Sequence, residues 1–250
     1  MTFSARVLRL APFAALLCGI TVHSAGAAPC VVPDVFGTAG LPPVGCDYVS
    51  PDEDMKILDG LPALTSIEID GVLRSFSSIV VNAGGTLGGE IEDYDAVLTM
   101  PMIGTGALLG FNRNIFMPLQ NQSHSAPRTP GNPVQSFDTE MFTLFGVILG
   151  DPDFDLLRIT AGTGFGMPSP GHTTLTRLGP AGSNWNVDSF FDITYRIDYV
   201  GAPGGPLYGM SGSTTGTIRM QTGNPIPEPS AAVFLGMGGA LLAALRARRA

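Results

Sequence analysis

The stretch Phe191-Asp192-Ile193-Thr194-Tyr195-Arg196-Ile197-Asp198-Tyr199 decides the fold class. Bulky apolar side chains take every odd position and polar or charged ones every even position. That period of two suits a strand with one buried and one wet face and does not suit a helix. Downstream, Gly201-Ala202-Pro203-Gly204-Gly205-Pro206 breaks the pattern and β-forming residues resume over 213–220, so the two segments read as a hairpin. Upstream, residues 65–69 alternate in the same way, and 76–81 and 96–100 read as strands. The long, largely apolar run 137–149 suits a strand buried on both sides. The 33 Gly and 21 Pro of the 250 residues fit many short strands joined by turns, and 44% hydrophobic residues argue against disorder. The expected ectodomain is all-β, an antiparallel β-sandwich or jelly roll without internal repeats. Two segments depart from that pattern. Ser50-Pro51-Asp52-Glu53 carries a cap, a first-turn proline and a reciprocal Glu, predicting a short helix over 51–59. Residues 120–134, with Pro127, Pro130 and Pro133, read as a surface loop.

Both chain ends read as addresses. A basic stretch with Arg6 and Arg9, an apolar run over 10–22 and the small residues Ala25, Ala27 and Ala28 have the order of a secretory signal peptide occupying 1–27. Cleavage falls after Ala27 or, as the alternative, after Ala28. Cys18 follows Leu17 and Cys30 follows Pro29, neither of which is the small residue a lipobox needs. The far end, 225–250, opens Pro225-Ile226-Pro227-Glu228-Pro229 and continues as an uncharged run of 16 residues from Ser230 to Leu245. Arg246, Arg248 and Arg249 close it. As a helix the run would be ~24 Å long, short of a ~30 Å hydrocarbon core, so it would span with local thinning or snorkelling arginines. The arginine cluster stays cytoplasmic and places residues 28–224 outside the inner membrane.

The order Pro227-Glu228-Pro229, apolar helix, terminal basic cluster resembles the PEP-CTERM sorting signal of Gram-negative bacteria, over about a tenth of the chain. The resemblance implies recognition by an exosortase, removal of a single transmembrane helix after transient inner-membrane anchoring, and delivery to the cell surface or extracellular matrix in an exopolysaccharide or biofilm setting. An unprocessed tail-anchored protein is the alternative.

Signal removal leaves two cysteines, Cys30 and Cys46. In an oxidising periplasm an isolated pair is most simply a disulfide, here stapling a Pro-rich loop within 28–50; two free thiols are the other reading. Between residues 28 and 227 there are 8 Lys and Arg against 20 Asp and Glu, a net charge of −12 that repels phosphate backbones and disfavours nucleic-acid binding.

Chemistry is thinly supplied. Only His124 and His172 lie in the mature chain, and both read as loop histidines until a nucleophile or carboxylate partner is found. Gly209-Met210-Ser211-Gly212-Ser213 lacks the nucleophile-elbow pattern, and Gly162-Thr163-Gly164-Phe165-Gly166 opens no helix. Asp151, Asp153 and Asp155 alternate as in a calcium loop, but Leu156 replaces the required glycine and Gly162 the bidentate Glu. A non-EF calcium site is one reading of these three, solvated turn acids the other. Glu90, Glu92, Asp93 and Asp95 form a second acidic group. No catalytic constellation or other cofactor is indicated. The expected protein is a structural or adhesive surface protein whose partners are signal peptidase, exosortase and exopolysaccharide. The alternative is a secreted polysaccharide-active hydrolase or lyase on the same scaffold.

Overall fold

The computed structural model describes residues 29–51 and 54–222. Strands dominate: β1 (Val31–Val32), β2 (Asp34–Val35), β3 (Thr38–Ala39), β4 (Tyr48–Val49), β5 (Met55–Ile57), β6 (Ile67–Ile69), β7 (Val72–Gly84), β8 (Gly89–Gly104), β9 (Asn112–Ser125), β10 (Val134–Leu149), β11 (Phe154–Ala161), β12 (Pro170–Arg177), β13 (Trp185–Gly201) and β14 (Ser211–Thr222). Among the described residues the only helical turns are two short 3-10 segments, Gly106–Leu108 and Thr163–Phe165. The signal segment, the sorting motif Pro227-Glu228-Pro229, the run from Ser230 to Leu245 and the closing arginines lie outside the described residues.

The all-β, antiparallel and sandwich-like expectation holds. The large sheet also closes on itself. β8 pairs with β9 and β9 with β10; β10 connects to β13 through β12 at one end and through β11 at the other. β13 continues to β14, β4 and β7, and β7 returns to β8. The two packed faces are therefore one continuous sheet around one core, an arrangement that leaves fewer exposed edges than two open sheets.

β13 and β14 form the predicted hairpin, in unbroken register from Phe190↔Gln221 to Val200↔Ser211. Phe191, Ile193, Tyr195, Ile197 and Tyr199 all face the core. Each such side chain contributes ~1.5–3 kcal/mol by leaving water. On the opposite face Arg219 grips Asp192 with two hydrogen bonds of 2.7 Å and covers the Phe190 ring at 4.1 Å. Donation from Arg219 holds the Asp192 carboxyl below its usual range.

Three local expectations are corrected. Among the described residues of 51–59 there is no helix: Met55–Ile57 is strand β5, with Met55 and Ile57 buried and Lys56 exposed. Burying those two side chains against Ile67 and Ile69 of β6 outweighs a capping signal followed too soon by Gly60 and Pro62. Residues 120–125 belong to β9, so the Pro-rich loop is confined to 126–133. Strand β10 is not buried on both sides. Its inward residues are Phe137, Thr139 and Met141 up to a bulge between Met141 and Thr143, and Leu144 and Gly146 beyond it. The bulge flips the phase, which makes a two-sided strand look uniformly apolar in sequence.

β5 and the turn after it are held to β13 and β14 by side chains where no ladder forms: Lys56 N–H donates to the Tyr195 hydroxyl of β13 at 3.0 Å, and Leu58 and Asp59 N–H donate to Thr214 Oγ1 of β14 at 2.9 and 3.0 Å. Backbones nearly touch there, since a Cβ on Gly212 would sit 2.0 Å from the Asp59 carbonyl oxygen. Gly212→Ala is expected to cost about 2 kcal/mol or more in urea denaturation; an unchanged midpoint would show that β14 does not need this approach.

Candidate functional site

The N-terminal arm is bound across one end of the closed sheet. The Cys30–Cys46 disulfide is present, with Cα atoms 5.5 Å apart, in a small core containing Val32, Leu41, Phe137, Leu175 and the fully buried Trp185. The arm's fastenings come from distant strands. Trp185 Nε1 donates to Asp34 at 2.8 Å, Arg128 donates to the Ala39 carbonyl at 2.8 Å, and Gln135 donates to the Gly37 carbonyl at 2.9 Å. The β2–β3 turn places Phe36 and Gly37 at φ 52° and 85°, the positive pair that a two-residue hairpin requires, and leaves Phe36 97% exposed.

Beneath this arm the interior is polar. β8 and β9 supply Glu92, Tyr94, Asn121, Ser123 and Ser125 from their inward faces, and β10, β12, β13 and β4 supply Thr139, Thr173, Ser189 and Tyr48. Glu92 is 2% exposed and accepts hydrogen bonds from Ser123 at 2.9 Å and Ser125 at 3.0 Å. Burial pushes its carboxyl up from 4.5 to about 7, against the two serine donations and the charge of Arg128, while Glu90 pushes the same way as burial. Tyr48 donates to Ser189 at 3.0 Å, Ser189 and Thr173 lie 2.7 Å apart, and burial raises both Tyr48 and Tyr94 above the usual phenol range. Thr139 Oγ1 and the Asn121 amide are buried without a hydrogen-bond partner among the described residues. A cavity of about 20 Å³ lies among the polar Glu92, Ser123, Thr139, Thr173 and Ser189 and the apolar Leu73, Met141 and Phe191, roofed by Leu41 and Pro42 of the arm. That is room for about one water molecule.

Neither histidine is a loop histidine. His124 is 3% exposed on β9, stacked on Phe142 with ring centroids 4.3 Å apart and covered by the β7–β8 turn. Its Nδ1 meets Thr86 Oγ1 at 2.8 Å and Glu140 at 3.3 Å, and its Nε2 meets Gln122 at 3.2 Å. Both candidate partners share one nitrogen, so the proton path from a nucleophile through the ring to an acid is missing. His172 is on β12, directly across from Asp138 of β10. Its Nε2 lies 2.8 Å from Ser136 Oγ and its Nδ1 2.9 Å from Asp138 Oδ1, the serine–histidine–aspartate order of an acyl-transfer relay. The relay lies on an open sheet face, with Asp138 78% exposed and Thr174 Oγ1 also 3.1 Å from Ser136 Oγ. The sequence signal was only His172 plus an x-Ser-x-Asp alternation on another strand, which no local pattern joins.

The acidic candidates separate. Arg113 binds both Asp151, at 3.0 Å, and Asp153, while Asp155 is exposed on β11, so the three carboxylates do not converge on one point. The Arg113 guanidinium already pairs with two of the three carboxylates. Glu90 and Glu92 fall on the face of β8 opposite Asp93 and Asp95, with Glu90 bound by Arg128 and Asp93 by Gln122 at 2.7 Å. Among the described residues no group of three or more His, Cys, Asp or Glu is placed to hold a metal ion, and no helix is long and apolar enough to cross a membrane. Compared with protein-family models, curated proteins and solved structures, the chain matches none of them.

Proposed function

We propose that this protein is an exported, surface-sorted structural or adhesive module of an extracellular matrix, delivered through a PEP-CTERM tail and acting in exopolysaccharide. The observation that carries the reading is the Cys30–Cys46 disulfide, which fastens the arm and belongs to an oxidising compartment. It agrees with the signal-like segment before it and the sorting-like segment after it. The closed, disulfide-stapled sheet with a net charge of −12 between residues 28 and 227 suits a durable soluble module outside the cell. Intact mass of protein from the native host's membrane and medium tests it. The expected mature chain starts at Ala28 or Pro29, ends near Pro229 and gains two protons on reduction. Retention of residues 230–250 in all fractions would make it a tail-anchored protein instead.

A second reading, an ester-directed hydrolase acting on decorated polysaccharide, is favoured by the Ser136–His172–Asp138 geometry alone. A fluorophosphonate probe should then label Ser136, and His172→Ala should slow labelling by ~10²-fold or more. Equal labelling of Ser136→Ala would remove this reading and leave the first untouched.

A further inference from the structure

We propose that the arm-covered end of the sheet is a binding site for a primary aliphatic amine, with its ammonium in the Glu92 chamber and its apolar stem in the groove outside. Two hollows share one wall. The inner one, about 20 Å³, is the chamber under Leu41 and Pro42, where Glu92, Ser123 and Thr139 meet the apolar Leu73, Met141 and Phe191. The outer one, about 490 Å³, lies on the other side of the same two residues, with Val35, Phe36, Val44, Ile79 and Val81 among its walls. Its size falls within the range of small-molecule sites, and its lining is mostly apolar, with Thr38 and the Arg128–Glu90 ion pair as its polar members.

The inner chamber selects the head group. It holds a buried carboxylate whose only side-chain hydrogen-bond donors among the described residues are two serines, and the Oγ1 of Thr139, a residue 5% exposed, has no partner among them. A group entering there must be water-sized, must donate to Glu92 and is best cationic, since the hydrogen bonds that Arg128 makes go to Glu90 and the arm and none reaches Glu92. An ammonium meets all three conditions, a carboxylate meets none of the charge requirement, and a hydroxyl meets only the first two. The outer groove selects the stem: exposed Val81 and Phe36 offer apolar surface that is otherwise left in water. Leu41 and Pro42 must shift for the stem to pass between the hollows, and the staple that carries them limits how far they move.

Octylamine, octanol and octanoate are the probes, titrated calorimetrically at pH 8 against the oxidised mature protein, with Trp185 fluorescence as a second readout beside Leu41. Octylamine should bind at least tenfold tighter than octanol, and octanoate should not bind. Glu92→Gln should bring octylamine to the octanol level, and Val81→Arg, on an exposed position, should weaken both. Equal affinity for octylamine and octanol, an unchanged octylamine affinity in Glu92→Gln, or full binding by Val81→Arg would each overturn the assignment. If Glu92→Gln fails to fold, Val81→Arg and the ligand series still decide.

Discussion

Replacing Glu92 by glutamine is expected to raise stability at pH 8 by up to about 3 kcal/mol and to leave it nearly unchanged at pH 4. Glu92 is buried, and its carboxyl is raised from 4.5 to about 7 chiefly by desolvation. A raised folded-state value means that the native protein holds the proton more tightly than the unfolded chain. The associated stability is fully present below about pH 4.5, declines as pH rises towards 7, and is gone above it. Glutamine keeps the shape, still accepts from Ser123 or Ser125 through its oxygen, and cannot ionise. Urea denaturation of both proteins at pH 4, 6 and 8 measures the difference. A wild-type curve flat across that window, or a glutamine variant weaker by the same amount at every pH, would show that the chamber solvates the carboxylate well. The physical interest is that a purely structural core gains nothing from a carboxyl in this position.

Removing the disulfide by Cys30→Ala with Cys46→Ala is the second large effect, a loss of about 3 kcal/mol. The 16-residue separation sets that size, because the bridge withdraws loop entropy from the unfolded chain. In a domain of this length the loss corresponds to a melting temperature lower by ~6–12 °C. The bridge also lies in the small core with Leu41 and Trp185, so the arm should loosen before the main sheet does. Trp185 emission should therefore shift to the red at a lower urea concentration than the far-ultraviolet circular dichroism changes. Coincident transitions with an unchanged midpoint would mean that Arg128, Gln135 and Trp185 fasten the arm unaided.

Wherever apolar and polar residues alternate without interruption, the local pattern and the fold agree. β13 is the clearest case, since Phe191 through Tyr199 needs no distant information to declare its faces. The pattern misleads where a bulge changes phase, as at Phe142 in β10, and where the inward face is itself polar, as in β9. Residues 120–125 look like a loop because Asn121, Ser123 and Ser125 are polar. All three are buried, and Ser123 and Ser125 donate to Glu92 on the neighbouring β8. His124 and His172 look solvated for the same reason: their partners Glu140, Thr86, Ser136 and Asp138 lie on other strands or turns, and no spacing within one segment announces them.

The sequence by itself determined the fold class and the β13–β14 hairpin and made Cys30–Cys46 the simplest pairing, because alternation and a solitary cysteine pair are local or countable features; the structure closed that bridge. Only the tertiary structure decided that the sheet closes through β9, that an arm roofs a polar chamber around Glu92, that Asp151 and Asp153 answer Arg113, and that His172 stands between Ser136 and Asp138. Those outcomes depend on which strands become neighbours and in what register. That choice is made by the summed burial of a whole core, and no single segment encodes it.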